Sequence, residues 1–339
     1  YPANHGITGR FWPSGDAIPV FTLNLDVNNP NIVWAGLKDV KGVFKSYDGG
    51  MTWEDKTPDT IVLPETNFVF RGFTVMPGES DIVFAAGEIP SLYSDPGNIY
   101  DRVEGRVLRS DTGGSQWYTI WKGPSLARYV IVRPDNHNVI YVSTGIFDRE
   151  AENSDCGLPQ QVDGGMGVLK GVYDGVSTYT WTVMTATYGL TDSYVGSLVM
   201  HPTDPDILLA GAGNLGCSYN QDNSVTGGVF ITLDGGLSWT QTLTNDIITS
   251  VEFSPSNPDI AYAGSKNRFY RSLDGGMHWI TVAGQDFYWG PPGTIAGFPI
   301  DFLVDPFNPF IVFVNNYGGG TIKTTDGCVN WSLASQGFT

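Results

Sequence analysis

The chain has 339 residues and a formal net charge of −17, with 18 Lys and Arg against 35 Asp and Glu. Scattered basic residues exclude nucleic acid and an anionic membrane surface as partners, because both need clustered Lys and Arg. Charged residues are only 16% of the chain, whereas it has 43 Gly, 21 Pro and 13% aromatic residues. This composition is typical of a secreted all-β protein and predicts an extracellular or cell-surface location, with the signal peptide absent from this chain. No apolar run is long enough for membrane insertion.

A unit of two apolar strands joined by a turn recurs six times. The copies read LNLDVNNPNIVWAG (23–36), FTVMPGESDIVFAAG (73–87), VIVRPDNHNVIYVSTG (130–145), SLVMHPTDPDILLAG (197–211), SVEFSPSNPDIAYAG (250–264) and DFLVDPFNPFIVFVN (301–315). Their first turn positions are Val27, Pro77, Pro134, Pro202, Pro255 and Pro306, which gives steps of 50, 57, 68, 53 and 51 residues. Steps of this size are typical of the four-stranded blades of a β-propeller.

The sequence therefore predicts a single all-β domain over 1–339, a β-propeller of four-stranded antiparallel blades. Six blades are expected, at approximately 21–57, 73–122, 128–184, 196–243, 249–283 and 300–335. Residues 1–20 are expected to supply a closing segment, and a seventh blade built with that segment is the alternative.

An octet with Ser or Thr first, Asp third, Gly fifth and Trp eighth is expected to form the turn between the third and fourth strands. It reads SYDGGMTW (46–53), TLDGGLSW (232–239) and SLDGGMHW (272–279), with a worn copy TTDGCVNW (324–331). The Asp suits a carboxylate that accepts backbone N–H bonds in its own turn, and the Gly suits a positive φ. The octet residues with this structural role are Ser46, Asp48, Gly50, Trp53, Thr232, Asp234, Gly236, Trp239, Ser272, Asp274, Gly276, Trp279, Asp326 and Trp331.

The octet spacing resembles the Asp box of the sialidase, sortilin and bacterial BNR-repeat families. Along its whole length the chain is most similar to bacterial secreted BNR-repeat proteins, and that resemblance implies the fold rather than an activity. Sialidases also carry an Arg triad and an FRIP-like segment before the first Asp box. Here the nearest segment is FRGF (70–73), after the first octet, and no Arg triad can be assigned.

Long loops are predicted on the face opposite the octets, at 88–105, 146–165, 212–228 and 283–298. They bring carboxylates and aromatic rings together, as glycan sites and protein interfaces do. The candidate ligand or partner residues are Glu88, Tyr93, Asp101, Asp148, Glu150, Asp163, Tyr219, Asp286, Tyr288, Trp289 and Tyr317. Cys156 and Cys217 lie in matching loops of adjacent blades, so a disulfide between them is expected. Cys328 is then a free thiol.

Two functions fit these observations. The first is a secreted non-catalytic module for binding or assembly, with a glycan, another protein or copies of itself as the partner. Assembly into a surface layer or filament is a specific form of this function. The alternative is a glycoside hydrolase or lyase that acts on a neutral polysaccharide through carboxylates of the long-loop face. The sequence assigns no catalytic residue, no metal ligand and no cofactor.

Overall fold

Six antiparallel sheets of four strands make up the regular structure of the computed structural model, which describes residues 7, 20–37, 42–58, 68–90, 103–145, 165–213, 227–265, 267–284, 290–291, 299–316 and 320–334. The helical structure of these residues is one 3-10 turn, Ala186–Tyr188. No helix in this described part of the chain is both long and apolar enough to cross a membrane.

The chain forms two compact units, Tyr1–Thr144 with Leu169–Thr182 and Gly145–Val168 with Val183–Thr339. The sheets are numbered here as blades one to six in chain order, and the first unit holds blades one to three. Its strands are β1 (Val20–Asp26), β2 (Asn29–Leu37), β3 (Val43–Ser46) and β4 (Glu54–Asp55), then β5 (Val69–Met76), β6 (Glu79–Pro90), β7 (Val103–Ser110) and β8 (Tyr118–Gly123), and finally β9 (Ala127–Val132), β10 (Val139–Thr144), β11 (Val168–Tyr173) and β12 (Tyr179–Met184).

Blades four to six belong to the second unit and repeat the same order of strands. Their strands are β13 (Val195–Met200), β14 (Leu208–Ala212), β15 (Gly228–Thr232) and β16 (Thr240–Thr244), then β17 (Ile248–Phe253), β18 (Ala261–Ser265), β19 (Phe269–Ser272) and β20 (Ile280–Ala283), and finally β21 (Pro299–Val304), β22 (Val312–Asn316), β23 (Gly320–Thr324) and β24 (Ser332–Leu333). In every blade the chain runs through neighbouring antiparallel strands in sequence.

Apolar cores fill the spaces between adjacent blades of each unit. In the second unit, Val251 and Phe253 alternate along β17 and pack with Leu209 and Val229 of blade four. Phe302 of blade six joins a separate core on the side of blade five. Alternation of β-branched and aromatic residues therefore gives each strand a face that a neighbouring blade covers.

Glycines near the ends of the second strands allow the blades to approach closely. A Cβ on Gly36 would lie 2.6 Å from the ring of Phe73 in the next blade, and one on Gly264 would lie 2.4 Å from the ring of Phe302. The glycine of the recurring Ala-Gly pair thus lies where the next blade leaves no room for a side chain.

Tryptophan side chains connect neighbouring blades by hydrogen bonds as well as by packing. The indole Nε1 of Trp117 donates to the Lys56 carbonyl at 2.9 Å, and that of Trp181 donates to the Ile120 carbonyl at 3.1 Å. In the second unit, Trp279 Nε1 donates to Thr242 Oγ1 at 3.0 Å. Each acceptor lies on, or directly after, the last strand of the preceding blade.

Replacement of Trp117 tests this connection. Trp117 is buried and meets the ring of Trp34 edge-on at 6.2 Å. We expect Trp117→Ala to lower the free energy of unfolding by about 3–5 kcal/mol, because it empties a buried site. Trp117→Phe keeps a ring but loses the bond to Lys56, so a loss of about 1–2 kcal/mol is expected. Urea denaturation measures both; no loss in Trp117→Phe would contradict a separate contribution of the hydrogen bond, and equal losses in the two variants would contradict a contribution of the buried ring.

Candidate functional site

Of the residues predicted on the long-loop face, the structure describes one. Glu88 lies within β6, where its Oε1 is 2.6 Å from Nη2 of Arg71, and both side chains are buried. The Arg71 guanidinium also lies 4.7 Å from the centre of the Phe21 ring. Glu88 therefore forms a buried ion pair with Arg71 of the same blade. The other candidates and the predicted disulfide lie outside the described residues, namely Tyr93, Asp101, Asp148, Glu150, Asp163, Tyr219, Asp286, Tyr288, Trp289, Tyr317, Cys156 and Cys217.

The first octet closes the hairpin between β3 and β4 with side-chain hydrogen bonds. Ser46 Oγ accepts the Gly50 N–H at 2.8 Å and donates to Asp48 Oδ1 at 2.8 Å. Asp48 Oδ1 also accepts the Thr52 N–H at 2.8 Å, and its Oδ2 accepts the Thr52 hydroxyl at 2.6 Å. The carboxylate therefore bonds to its own turn at both oxygens, while the φ of Gly50 is 92°.

The octets of blades four, five and six repeat these bonds. In each, the Asp Oδ1 accepts the hydroxyl at position one at 2.8 Å, from Thr232, Ser272 and Thr324. The Asp also bonds the side chain at position seven, in the pairs Asp234–Ser238, Asp274–His278 and Asp326–Asn330. The chemistry at position seven varies, whereas the arrangement of the turn is preserved.

The divergent copies keep parts of this arrangement with other atoms. In blade two the third position is Thr112, whose Oγ1 accepts the Gln116 N–H at 2.8 Å. In blade three Asp174 accepts the N–H and the hydroxyl of Thr178. In blade six Cys328 occupies the glycine position with a φ of 72°, and its thiol is buried.

The octet carboxylates stay ionised well into the acid range. Hydrogen bonds from the Thr52 side chain and N–H, and from Ser46, lower the pKa of Asp48 to about 2. Loss of hydration opposes the shift at Asp274, but bonds from His278 and Ser272 still lower its pKa to about 2. These groups are poor candidates for proton transfer at neutral pH, because they hold no proton to donate and are weak bases.

A second hydrogen bond ties each octet to the turn between the first and second strands of its blade. The N–H at position four donates to a carbonyl of that turn, two residues before the second strand, from Gly235 to Asp206, from Gly275 to Asp259 and from Gly327 to Phe310, at 2.8–2.9 Å. Both turns of a blade therefore lie at the same end. The surface that these turns form in the second unit, residues 201–207, 232–239, 254–260, 272–279, 305–311 and 324–331, is called the octet face below.

Large apolar side chains are exposed on the octet face. They occupy positions two and six of the octets, and the turn of blade six adds two more; the set is Leu233, Leu237, Leu273, Met277, Val329, Phe307 and Phe310. Phe307 is 91% exposed and Leu237 is 68% exposed. The octet bonds do not involve the side chains at positions two and six. The sequence pattern Leu-x-x-x-Leu in blade four and Leu-x-x-x-Met in blade five is therefore the signal that identifies most of these exposed residues.

Contacts between the blades join these turns into one surface. The Tyr262 hydroxyl of blade five donates to the Pro309 carbonyl of blade six at 2.7 Å, and Arg271 Nη1 donates to the Gly327 carbonyl at 3.2 Å. Between blades four and five, the His201 ring packs edge-on against Phe253 at 5.0 Å. The turns that carry the exposed side chains are thus held by contacts with strands of the adjoining blade.

A separate unusual group, Glu252, lies on β17 and is partly buried. Removal from water, and then the negative charge of Asp301 on the neighbouring strand β21, raise its pKa to about 8. Glu252 is therefore largely protonated at neutral pH. Sequence reasoning missed it, although a lone acid among Val251 and Phe253 was the signal. Among the described residues no three His, Cys, Asp or Glu side chains are grouped to hold a metal ion.

Comparisons with known proteins identify the fold. No family model matches the chain, and no curated protein matches it. A structure of YCF48 bound to D1 peptide has a TM-score of 0.56 at 13% identity, over 93% of this chain and 80% of that one. The chain is a six-bladed β-propeller. The predicted all-β class, four-stranded blades and count of six are confirmed.

Two GH74 enzymes are also similar at low identity. The xyloglucanase from Xanthomonas campestris has a TM-score of 0.49 and 15% identity, over 92% of this chain and 54% of that one. An ancestral GH74 enzyme has a TM-score of 0.42 and 17% identity, over 94% of this chain and 31% of that one. The chain thus spans about half of the first enzyme and a third of the second. At these identities a likeness concerns the fold alone.

Substitutions at Cys328 test the left-handed turn. Glycine normally makes a protein less stable than alanine does. At a positive φ the order reverses, because the Cβ of alanine comes too close to the backbone. We expect Cys328→Gly to unfold with a free energy about 1 kcal/mol higher than Cys328→Ala. As a control, Gly236→Ala should destabilise, because its Cβ would lie 2.5 Å from Met184 Sδ. The reverse order for the two Cys328 variants, measured in urea, would contradict strain at this turn.

The protonated state of Glu252 predicts a pH dependence of stability. Its pKa in the folded chain, about 8, is above the ordinary value of 4.5, so the folded state holds a proton that the unfolded state releases. Stability should therefore fall as the pH rises from about 5 to about 8. The Glu252→Gln variant should lose this part of the slope, as measured by thermal unfolding across that range. Identical slopes in the variant and the wild-type protein would contradict the raised pKa.

Proposed function

We propose that this chain is a non-catalytic β-propeller module that binds another polypeptide through the octet face. One observation supports this most directly: three successive blades expose large apolar side chains at equivalent positions. Isolated exposed apolar residues are common on proteins, but a concentration of them on one surface is typical of interaction sites.

The rigidity of the turns favours binding. Leu233, Leu237, Leu273 and Met277 are carried on hairpins whose backbones are fixed by the octet bonds. Binding therefore does not require these loops to become ordered, which is a main cost of association elsewhere. Burial of each Leu or Met side chain contributes about 1.5–3 kcal/mol. A few such contacts suffice for micromolar affinity after the entropic cost of association.

The likeness to YCF48 is compatible with this function, since that propeller was solved bound to a peptide. The octet geometry supports a further proposal, that the chain is a relative of the Asp-box or BNR-repeat proteins. The low content of charged residues supports a place of action outside the cell.

The second candidate function is hydrolysis of a neutral polysaccharide. Glu252 favours it, because a carboxyl that stays protonated at neutral pH near a second carboxylate, Asp301, is the pattern of a general acid and its partner. The observation is confined to one pair of groups on neighbouring strands, whereas the apolar octet face extends over three blades.

Selection from a random peptide library on the immobilised protein tests the first proposal. We expect peptides to be enriched and their affinity to drop about tenfold in a Leu233→Ser/Leu237→Ser double variant, because apolar burial is lost. Val176→Ser is the matched control, since Val176 is exposed on the blade-three hairpin in the other unit. Titration of synthetic copies of the enriched peptides measures the affinities.

Two results would contradict the proposal. One is the absence of enriched peptides, and the other is equal affinity for the double variant and the wild-type protein. Release of reducing ends from xyloglucan by the wild-type protein, together with its loss in Glu252→Gln, would favour the hydrolase instead.

A further inference from the structure

The charges of the octet face indicate which kind of polypeptide fits it. We infer that its partner is a basic segment that also carries apolar side chains. This inference rests on the proposed function and specifies the chemistry of the partner.

Carboxylates surround the exposed apolar side chains. The six turn segments contain seven of them, Asp204, Asp206, Asp234, Asp259, Asp274, Asp305 and Asp326. The same segments, all within the described part of the chain, contain no Lys or Arg. The octet face therefore combines one sign of charge with apolar surface, which is the complement of a basic amphipathic segment.

Two cations lie on the strands that lead into these turns, and one of them, Arg271, contacts the octet face itself. Arg271 on β19 donates to the Gly327 carbonyl and lies 5.8 Å from the centre of the Phe310 ring. Lys323 on β23 lies 5.0 Å from the centre of the Phe313 ring. Both side chains are only partly exposed. Two cations beside seven carboxylates leave the octet face with a net negative charge.

The negative charges are also fixed in position. Asp234, Asp274 and Asp326 bond their own turns, and those bonds lower the pKa of each below its ordinary value even though loss of hydration opposes the shift. Asp305 Oδ1 accepts the N–H groups of Phe307 and Asn308 in its own turn. Carboxylates held in this way attract a cation without first being reoriented, which is the advantage of a preorganised site.

Charge also argues against two other occupants. A cytoplasmic-leaflet type of membrane surface is negative, so it would repel these carboxylates while attracting the apolar side chains. A second copy bound through the same face would bring seven carboxylates against seven, and such like-charge pairs are costly. A basic segment satisfies both the charge and the apolar surface.

Two peptides of opposite charge provide the test. The probes are a fluorescent amphipathic peptide of leucine and lysine and its counterpart with every lysine replaced by glutamate. Fluorescence anisotropy is measured with the full chain at near-physiological salt, where long-range attraction is screened. We expect the leucine–lysine peptide to bind at least about tenfold more tightly than the leucine–glutamate peptide.

Substitutions then separate the octet face from the overall charge of −17. Leu273→Ser/Met277→Ser removes apolar surface without changing charge, and about a tenfold loss of affinity for the leucine–lysine peptide is expected. Asp204→Asn/Asp259→Asn removes two carboxylates outside the octets and should weaken both the binding and its salt dependence. Val176→Ser is the control and should bind as the wild-type protein does. Thermal unfolding of every variant checks that it is folded.

Each outcome has a defined meaning. Equal binding of the two peptides, with loss in Leu273→Ser/Met277→Ser, overturns the basic partner and leaves the proposed function standing. Unchanged binding of the leucine–lysine peptide by that double variant overturns the inference, because the attraction then comes from net charge alone. Binding of neither peptide, in a protein that also enriches none from a library, overturns both.

Discussion

The side-chain hydrogen bonds of the octet are the interaction on which blades one, four, five and six depend. A hydroxyl at position one accepts the N–H at position five, and the Asp at position three accepts the N–H at position seven. In blades four to six the N–H at position four donates to a carbonyl of the turn just before the second strand. Three of the four strands are thus tied at one end by polar bonds. The hairpins are therefore fixed by polar bonds, and the apolar faces contribute to packing between the blades.

The same bonds explain why the octets also expose apolar side chains. Positions one, three, four, five and seven are engaged in the turn, and the tryptophan at position eight packs between blades. Only positions two and six are left without a role inside, and they hold Leu or Met in blades four and five. Serine or lysine would be equally compatible with the turn, so the structure gives no reason of stability for apolar residues there. Their exposure is the observation on which the proposed partner rests.

Much of the fold could be predicted from the sequence, because a repeated unit shows its period directly. The Pro turns indicated six blades, and the octets indicated the place of the hairpin between third and fourth strands. The functional surface was harder to predict from the sequence than the fold. Because Asp48 was predicted to be a turn residue, the functional residues were predicted on the long loops instead. Most of those loops lie outside the described residues. Glu88, the exception, belongs to a buried ion pair because β6 extends through it, and strand length is poorly encoded in an apolar run.

Other features could not be predicted because they depend on contacts between residues that are far apart in the sequence. The raised pKa of Glu252 needs both the loss of water around β17 and the charge of Asp301 about fifty residues away in the chain. The role of the Ala-Gly pairs appears only once the ring of the next blade is in place. Thr112 takes the place of the octet Asp in blade two, and only its bond to the Gln116 N–H shows that it does so. The neighbouring Asp111 forms an ion pair with Arg109.

The thiol of Cys328 is an internal probe for opening of the last hairpin. It is buried in the core between blades five and six, and burial raises its pKa well above the ordinary value, so the reactive thiolate is scarce while the hairpin stays closed. Alkylation at this position must wait until the last hairpin opens. The labelling rate of Cys328, followed by peptide mapping, therefore reports how often this hairpin opens.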